Sequence, residues 1–297
     1  MKLINKLGLL VLIFFVSGSL IYATIYNSNK YALKDGIAGY FLTKTDFAEE
    51  DVPLKITDVR ERLDKELVVN TNLQGSTMLI LKRANRVFSI IEPILKKNGV
   101  PDDFKYLAVI ESGLVNAVSP AGAKGIWQFM PITAREKGME VTENIDERYH
   151  LEKATEAACS YFLNAKQKFG SWTLAAASYN GGMAGLQKQI DIQKVNDYYD
   201  LLLTEETSRY VFRILALKEI MKNPIKYGFI VNKEDLYEPI QTKKIEVDST
   251  INDLADFAKI QGINYKILKI HNPWLRETKL SNPTKKKYQI EIPTEGY

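Results

Sequence analysis

The sequence predicts a mainly α-helical protein that closes with a small α+β unit. Three observations carry this. Apolar residues recur at the 3.6-residue period through most of residues 56–222, and glycines and prolines interrupt that pattern at helix-length intervals. From residue 241 the pattern changes to two alternating segments that flank two short periodic ones. With 297 residues, 45% hydrophobic and 26% charged, the chain can bury one sizeable core and carry a second, smaller domain.

Lys2 and Lys6 precede an apolar run from Leu7 to Ile25, near the roughly 20 residues a membrane helix needs. The run continues past Ser17-Gly18-Ser19, so it reads as an N-terminal anchor before a cleaved export signal, and residues 1–26 are assigned to one or the other. Residues 27–50 lack a sustained period and read as a linker with short local structure. Ile56, Val59, Leu63 and Leu67 predict one helix. Leu73, Met78, Leu81, Ala84, Val87, Phe88, Ile91 and Leu95 predict a longer one, ending at Asn98-Gly99.

The chain is organised around residues 101–135. Phe104, Leu107, Ala108 and Leu114 recur at helical spacing, and Glu111 falls on the same stripe, which points a carboxyl group inward. Pro101 suits the first helical position and Gly113 a stop, so Glu111 sits in the last turn. Apolar surroundings and the negative helix end would both raise its pKa, as a general acid requires. The bland alternative is a Glu that snorkels or pairs with a Lys. From Ser112 to Arg135 there is no other acid, and small residues lead into Gly125-Ile126-Trp127-Gln128-Phe129-Met130. That composition suits a groove for a neutral, polar ring: Trp127 and Met130 offer apolar faces and Gln128 a donor and an acceptor. Each has an ordinary alternative, core for Trp127 and Met130, surface for Gln128.

Further helices are expected over Pro131 to Lys137, stopped by Gly138, and Leu151 to Phe169, stopped by Gly170. Two more follow, over Trp172 to Tyr179, and from Tyr210, as its first residue, to Lys222 ahead of Pro224. Lys243 to Val247 and Lys287 to Ile292 alternate as strands. They enclose short helices over Ile251 to Ile260, capped by Asp248-Ser249-Thr250, and Tyr265 to His271. The organisation is therefore residues 27–98 as linker and packing helices, 99–225 as the main domain, 226–240 as linker and 241–297 as the C-terminal unit.

A net charge of +4 is mild and unclustered, which argues against nucleic acid as a partner while favouring anionic surfaces. Cys159 is the single cysteine, and only His150 and His271 accompany it, so neither a disulfide nor a metal site is expected, and no cofactor.

Glu111-Ser112, Ala117-x-Ser119 and Gly122-Ala123-x-Gly125-x-Trp127-Gln128-Phe129-Met130-Pro131-x-Thr133-Ala134 together resemble the catalytic domain of family 1 lytic transglycosylases. Three later blocks agree: Asp146-Glu147-Arg148 with Ala154-Thr155-Glu156-Ala157-Ala158, Ala177-Ser178-Tyr179-Asn180-Gly181-Gly182, and Glu206-Thr207-Ser208-Arg209-Tyr210-Val211. The likeness covers about Leu73 to Met221 and is closest to the membrane-bound type D variant, with Trp-Gln rather than Met-Gln. Ser178, the doubled Gly181-Gly182 and His150 depart from the usual pattern. The segment from Gln241 resembles a lysin-motif (LysM) module, in Asp248-Ser249-Thr250-Ile251, Leu254-Ala255, Asn272-Pro273-x-Leu275 and Ile292-Pro293, although the usual glycine before the aspartate is absent.

This resemblance implies a lysozyme-like, all-helical catalytic domain with a small C-terminal βααβ glycan-binding module, whose alternative role is a structural appendage. It implies exported peptidoglycan glycan strands as substrate and a membrane at the N-terminal segment. Glu111 would act first as acid, then as base, in closing a 1,6-anhydro ring on N-acetylmuramic acid. Gln128 and Met130 would line the groove, Ser119 and Asn180 would hydrogen-bond acetamido groups, and Tyr179 or Tyr210 would position Glu111. A hydrolytic muramidase, using Asp146, Glu143, Glu156 or Glu206 as second acid, and a non-catalytic wall-binding scaffold are the alternatives.

Overall fold

The computed structural model describes residues 42–295, so the apolar run at residues 7–25 lies outside the described residues. Helices dominate, as expected. Two long ones open the described chain, α1 (Thr57–Asn72) and α2 (Gln74–Lys97). The short α3 (Lys105–Ser112) follows a single 3-10 turn at Asp102–Phe104. Next come α4 (Pro131–Glu136), α5 (Leu151–Phe169), α6 (Trp172–Gly181), α7 (Met183–Gln193) and α8 (Glu205–Lys222). Among the described residues no helix is long and apolar enough to cross a membrane.

The aromatic centre of the core explains why α3 stays short and buried. Phe104, wholly buried, meets Phe162 of α5 at 4.3 Å, Phe47 at 5.1 Å and Trp172 of α6 at 5.3 Å. Such tilted and edge-on pairs add to the area term that dominates core stability. Cys159 packs in this core, where burial pushes its thiol up to about 12, so it is an inert apolar side chain. Trp127 is also wholly buried, its indole N–H donating to Thr155 Oγ1 at 2.9 Å. Of the two readings of Trp127, groove face or core, the core one holds: its ring fills the space between the loop and α5.

Three sequence expectations are corrected. Residues 46–51, read as linker, form a tight hairpin of β1 (Asp46–Phe47) and β2 (Glu50–Asp51). Its strands are too short to leave an alternation, and its turn places Ala48 and Glu49 at φ 53° and 65° without a glycine to signal it. Helix α8 begins at Glu205, capped by Thr204, so Tyr210 lies in its second turn, away from its start. Helix α7 was not anticipated; Gly185 interrupts its pattern and Leu186 alone is fully buried.

The hairpin anchors the lobe. Lys218 of α8, almost wholly buried, donates to Asp103 Oδ2 at 2.6 Å and to Asp46 at its carbonyl, 2.7 Å, while Ala48 N–H also donates to Asp103. Glu50 caps α6, accepting from Trp172 and Thr173 N–H at 2.6 and 2.8 Å and from the hydroxyls of Ser171 and Thr173. Two orphan amides and two hydroxyls at one helix start thus find one carboxylate.

The C-terminal unit runs β3 (Thr242–Val247), α9 (Leu254–Ile260), α10 (Tyr265–His271), β4 (Tyr288–Pro293), with β3 and β4 antiparallel from Thr242 opposite Pro293 to Val247 opposite Tyr288. Asp253 caps α9, where Asp248-Ser249-Thr250 was expected to, because the chain spends Ile251 on a bridge to Leu280 before turning helical. Asn272, wholly buried, bonds Leu268 and both backbone groups of Glu291, tying α10 to β4. The core of this unit takes in Ile145 and Tyr149 from the helical lobe, so the two parts share side chains.

Burial alone would raise the Glu50 carboxyl, but its amide and hydroxyl donors hold it down to about 2. Because the folded value is depressed, this stabilisation is full above the ordinary value of 4.5 and is lost as pH falls through about 2. Glu50→Ala should therefore cost about 2–3 kcal/mol in urea unfolding at pH 7. The cost should nearly vanish at pH 2; an equal cost at both pH values would contradict the capping role.

Candidate active site

Glu111 occupies the last turn of α3, which Gly113 ends in the left-handed region at φ 60°. The carbonyls at that end do not stay open. Arg213 of α8 donates to Ile110 O at 3.0 Å and Arg83 of α2 to Gly113 O at 3.2 Å. Two guanidinium groups thus oppose the negative helix end, and of the two effects expected to raise Glu111, burial is the one that operates. Burial pushes its carboxyl up to about 7, against the pull of the Tyr210 hydroxyl and Arg213, with the charge of Glu206 adding to the rise.

Tyr210, 1% exposed, donates its hydroxyl to Glu111 Oε1 in a short hydrogen bond. Burial and the neighbouring carboxylate hold the phenol's pKa far above its usual range, so it stays a donor. Tyr179, at the end of α6, is kept protonated the same way and donates to Trp127 O at 2.7 Å. Its ring meets Phe129 edge-on at 5.8 Å. Glu111, Tyr210 and Tyr179 are therefore brought together, as their spacing alone could not show.

Asn180 is oriented by α8. Its Oδ1 accepts from Thr207 Oγ1 at 2.8 Å and its Nδ2 donates to Glu206 Oε1 at 3.0 Å. Thr207, Tyr210 and Arg213 form one stripe at three-residue spacing facing Asn180 and Glu111. That spacing is legible in the sequence, and it is the signal by which Thr207 and Arg213 would have been found. Of the other acids considered, Asp146 is buried against Arg148, Glu156 pairs with Lys97 and Asn98, and Glu143 is exposed; only Glu206 reaches Glu111 with its charge.

The loop after α3 carries the rest. Gln128 sits at φ 51° with its Nε2 donating to Ala117 O at 3.1 Å and Gly125 O at 2.7 Å, which fixes the carboxamide and leaves its oxygen to accept. Ser119 Oγ accepts from Ala123 N–H at 3.0 Å, leaving its proton to donate. Met130, 42% exposed, heads α4. Among the described residues no contact joins Ser119 or Met130 to Glu111; the loop alone associates them. Ser112 Oγ stitches that loop back to α3 by donating to Ile126 O at 2.8 Å.

The loop rests on residues 144–149. Arg148, 3% exposed and paired with Asp146, donates to Gly122 O at 2.9 Å and Phe129 O at 3.2 Å. Gly125 lies so close that a Cβ there would stand 1.9 Å from Arg148 O, so no other residue fits. The C-terminal unit holds the same segment from the far side, through Asp146 N–H to Trp274 O at 2.9 Å and Arg276 N–H to Asn144 O at 3.0 Å, with the Arg276 guanidinium over Tyr149.

Two expectations follow. Because the folded pKa of Glu111 is raised from 4.5 to about 7, the favourable contribution of its bound proton is present at low pH and is lost as pH rises through about 7. Urea unfolding should find Glu111→Gln equal to wild type near pH 4 but more stable at pH 8, by up to ~3 kcal/mol; no pH-dependent difference would contradict the burial of the charge. Arg148→Lys cannot bridge Asp146, Gly122 and Phe129 at once and should lose about 3 kcal/mol of stability, with a higher KM for any ligand of the loop.

Comparison with known proteins bears on this arrangement. Residues 88–202 match the family model described as transglycosylase SLT domain, and residues 243–296 the soluble lytic transglycosylase C-terminal LysM-like domain. The membrane-bound lytic murein transglycosylase D of Escherichia coli K12 is 31% identical over 228 residues, covering 75% of this chain and 49% of that protein. The protein of the same name from Escherichia coli O6:H1 matches to the same extent, so the chain spans about half the length of these relatives. A solved structure of an inactive mutant of lytic transglycosylase Slt from Pseudomonas aeruginosa is 20% identical, with a TM-score of 0.36 over 51% of this chain and 26% of that one. With an SLT domain followed by its LysM-like companion, the chain belongs to the lytic transglycosylase family.

Proposed function

We propose that this protein is a peptidoglycan lytic transglycosylase that cleaves the bond between N-acetylmuramic acid and N-acetylglucosamine and leaves 1,6-anhydro ends. The observation that carries the proposal is the Glu111 carboxyl, raised to about 7 by burial and held by the Tyr210 hydroxyl, with no second carboxylate in hydrogen-bond contact among the described residues. Glu111 gives its proton to the glycosidic oxygen as the C1–O4 bond breaks, and the sugar's own acetamido group steadies the cationic C1. The carboxylate then takes the proton of the muramic 6-hydroxyl as the C1–O6 bond closes. No water is consumed, and Glu111 ends protonated, as it began.

Tyr210 suits the intermediate stage, because its donor binds the carboxylate more strongly than the acid. Tyr179 packs beside both. The free oxygen of Gln128 accepts from a sugar hydroxyl or acetamido N–H, and Met130 offers an apolar edge. Ser119 donates its proton, and Asn180 the N–H left over from Glu206, to acetamido carbonyls. The likeness to a membrane-bound relative and the apolar run at residues 7–25 support a location in the cell envelope, on the exported side, anchored or secreted after cleavage. Its partners are glycan strands and, at the N-terminal segment, a membrane; nucleic acid has no role, and no metal or cofactor is needed.

One observation favours a hydrolytic muramidase instead. The Glu206 charge reaches Glu111, and a second carboxylate could activate water. Its commitment to Asn180 Nδ2 argues for the orienting role. Mass spectrometry of muropeptides released from purified wall separates the readings: products one water lighter, with anhydro ends, support the transglycosylase, and reducing ends support the hydrolase. Glu111→Gln should lower release by about a hundredfold or more, and unchanged release would discard the assignment of the acid.

The pH profile tests the acid independently. Glu111 must start protonated, so turnover should fall as pH rises through about 7. Tyr210→Phe removes a contact that lowers the Glu111 pKa; the falling limb should move to higher pH while kcat drops by about tenfold to a hundredfold. A limb that moves down, or does not move, would separate Tyr210 from the acid.

A further inference from the structure

The chain leaves Glu111 through a strained turn. Gly113 and Leu114 both take the left-handed conformation, at φ 60° and 61°. Glycine adopts it freely and leucine does not, yet Leu114 is held there with its side chain buried. Such a residue persists only where its surroundings fix it. The carbonyls at the end of α3 show what does so. Val109 O accepts from Gly113 N–H at 2.8 Å, and Ser112 O from Val115 N–H at 3.4 Å. Ile110 O, free of the helix ladder, and Gly113 O receive no backbone donor among the described residues. Each receives a guanidinium instead, from Arg213 of α8 at 3.0 Å and from Arg83 of α2 at 3.2 Å. The two arginines thus grip the backbone on either side of Glu111, and the peptide that Arg83 holds joins the two left-handed residues.

We infer that Arg213 and Arg83 are positioning residues for the acid: together they hold the strained turn that aims Glu111, and Arg213 also supplies positive charge to its carboxylate. The groups that face Glu111 are Tyr210, Arg213 and Glu206 from α8 and Tyr179 from α6, with Arg83 of α2 at the turn. Burial raises the Glu111 carboxyl to about 7, the Tyr210 hydroxyl and the Arg213 charge pull against it, and the Glu206 charge adds to it. The Arg83 bond ends on the backbone at Gly113. One arginine therefore acts on both the proton and the geometry, the other on the geometry.

A charge that steadies the carboxylate more than the acid acts when the proton has left, so it lowers the barrier rather than tightening the bound ground state. Arg213 complements Tyr210 in this, three residues along the same face of α8. The inference rests on the proposed function for the reaction in which the carboxylate forms, and on the geometry of the turn for the rest.

Carbon NMR of the full chain, isotopically labelled at its glutamate carboxyls, reads the acid directly whether or not the protein turns over wall, with the Glu111 signal assigned by its loss in Glu111→Gln. Arg213→Gln removes the charge and keeps an amide donor; it should raise the Glu111 midpoint by about half a pH unit or more. Arg213→Lys keeps the charge and should return the midpoint most of the way. Arg213→Met, which keeps the apolar stem, serves if the glutamine variant does not fold. Arg83→Met should leave the midpoint in place while the Leu114 Cα and Cβ shifts, which report its left-handed backbone, change. In muropeptide release from purified wall, Arg83→Met should lower kcat about tenfold or more, as a misaimed acid does. Arg213→Gln should lower kcat and carry the falling limb of the pH profile upward with the midpoint. A midpoint that stays or falls in Arg213→Gln, or that lysine does not restore, overturns the role of Arg213. Unchanged Leu114 shifts or a wild-type kcat in Arg83→Met overturn that of Arg83. If wild-type protein releases no anhydro product, the proposed function fails, and the midpoints and Leu114 shifts still decide the two arginines.

Discussion

A carboxyl group buried against a phenol sets the terms for the rest of this protein. Glu111 can lose its proton at that depth only where a donor waits, and Tyr210 is that donor. The position of Tyr210 depends on α8, which is fastened on every side. Arg209 pairs with the buried Glu66 of α1, Thr207 bonds Asn180 of α6, Arg213 bonds the end of α3, and Lys218 reaches the hairpin through Asp46 and Asp103. Arg209 and Lys218 satisfy the buried carboxylates of Glu66 and Asp103, which their removal would leave unpaired, and this keeps α8 in one register against α3.

The groove loop is held differently. Its backbone carbonyls at Gly122 and Phe129 are received by one guanidinium, that of Arg148, and Gly125 presses on the Arg148 backbone. Residues 144–149 therefore act as a bar between the loop and the C-terminal unit, and Ile145 and Tyr149 belong to the core of that unit. The C-terminal unit, whose sequence allowed a structural appendage, is in the fold the far support of the loop that presents Gln128. The packing of that unit and the set of the groove are mechanically joined.

Much of this was legible in advance because local signals agreed with the tertiary outcome. Gly113 and Gly170 end helices where their left-handed φ is needed, and the alternation from Lys243 and from Lys287 matches β3 and β4. Glu111 on an apolar stripe gave away its burial. Trp127 was less readable, since an aromatic beside glycines suits a groove and a core equally, and only the space next to Thr155 decides between them. The hairpin at Asp46–Asp51 and the long-range caps made by Glu50 leave no periodic trace at all.

What the sequence by itself determined is the set of helices, the inward carboxyl and the order of blocks that marks the family, because these depend on neighbours within a few turns of the same chain. What only the tertiary structure decided is which side chains meet. Ninety-nine residues separate Glu111 from Tyr210, and 122 separate Glu50 from Trp172. Contacts at such separation depend on how helices pack, and the pKa of the acid depends on that packing rather than on any local pattern.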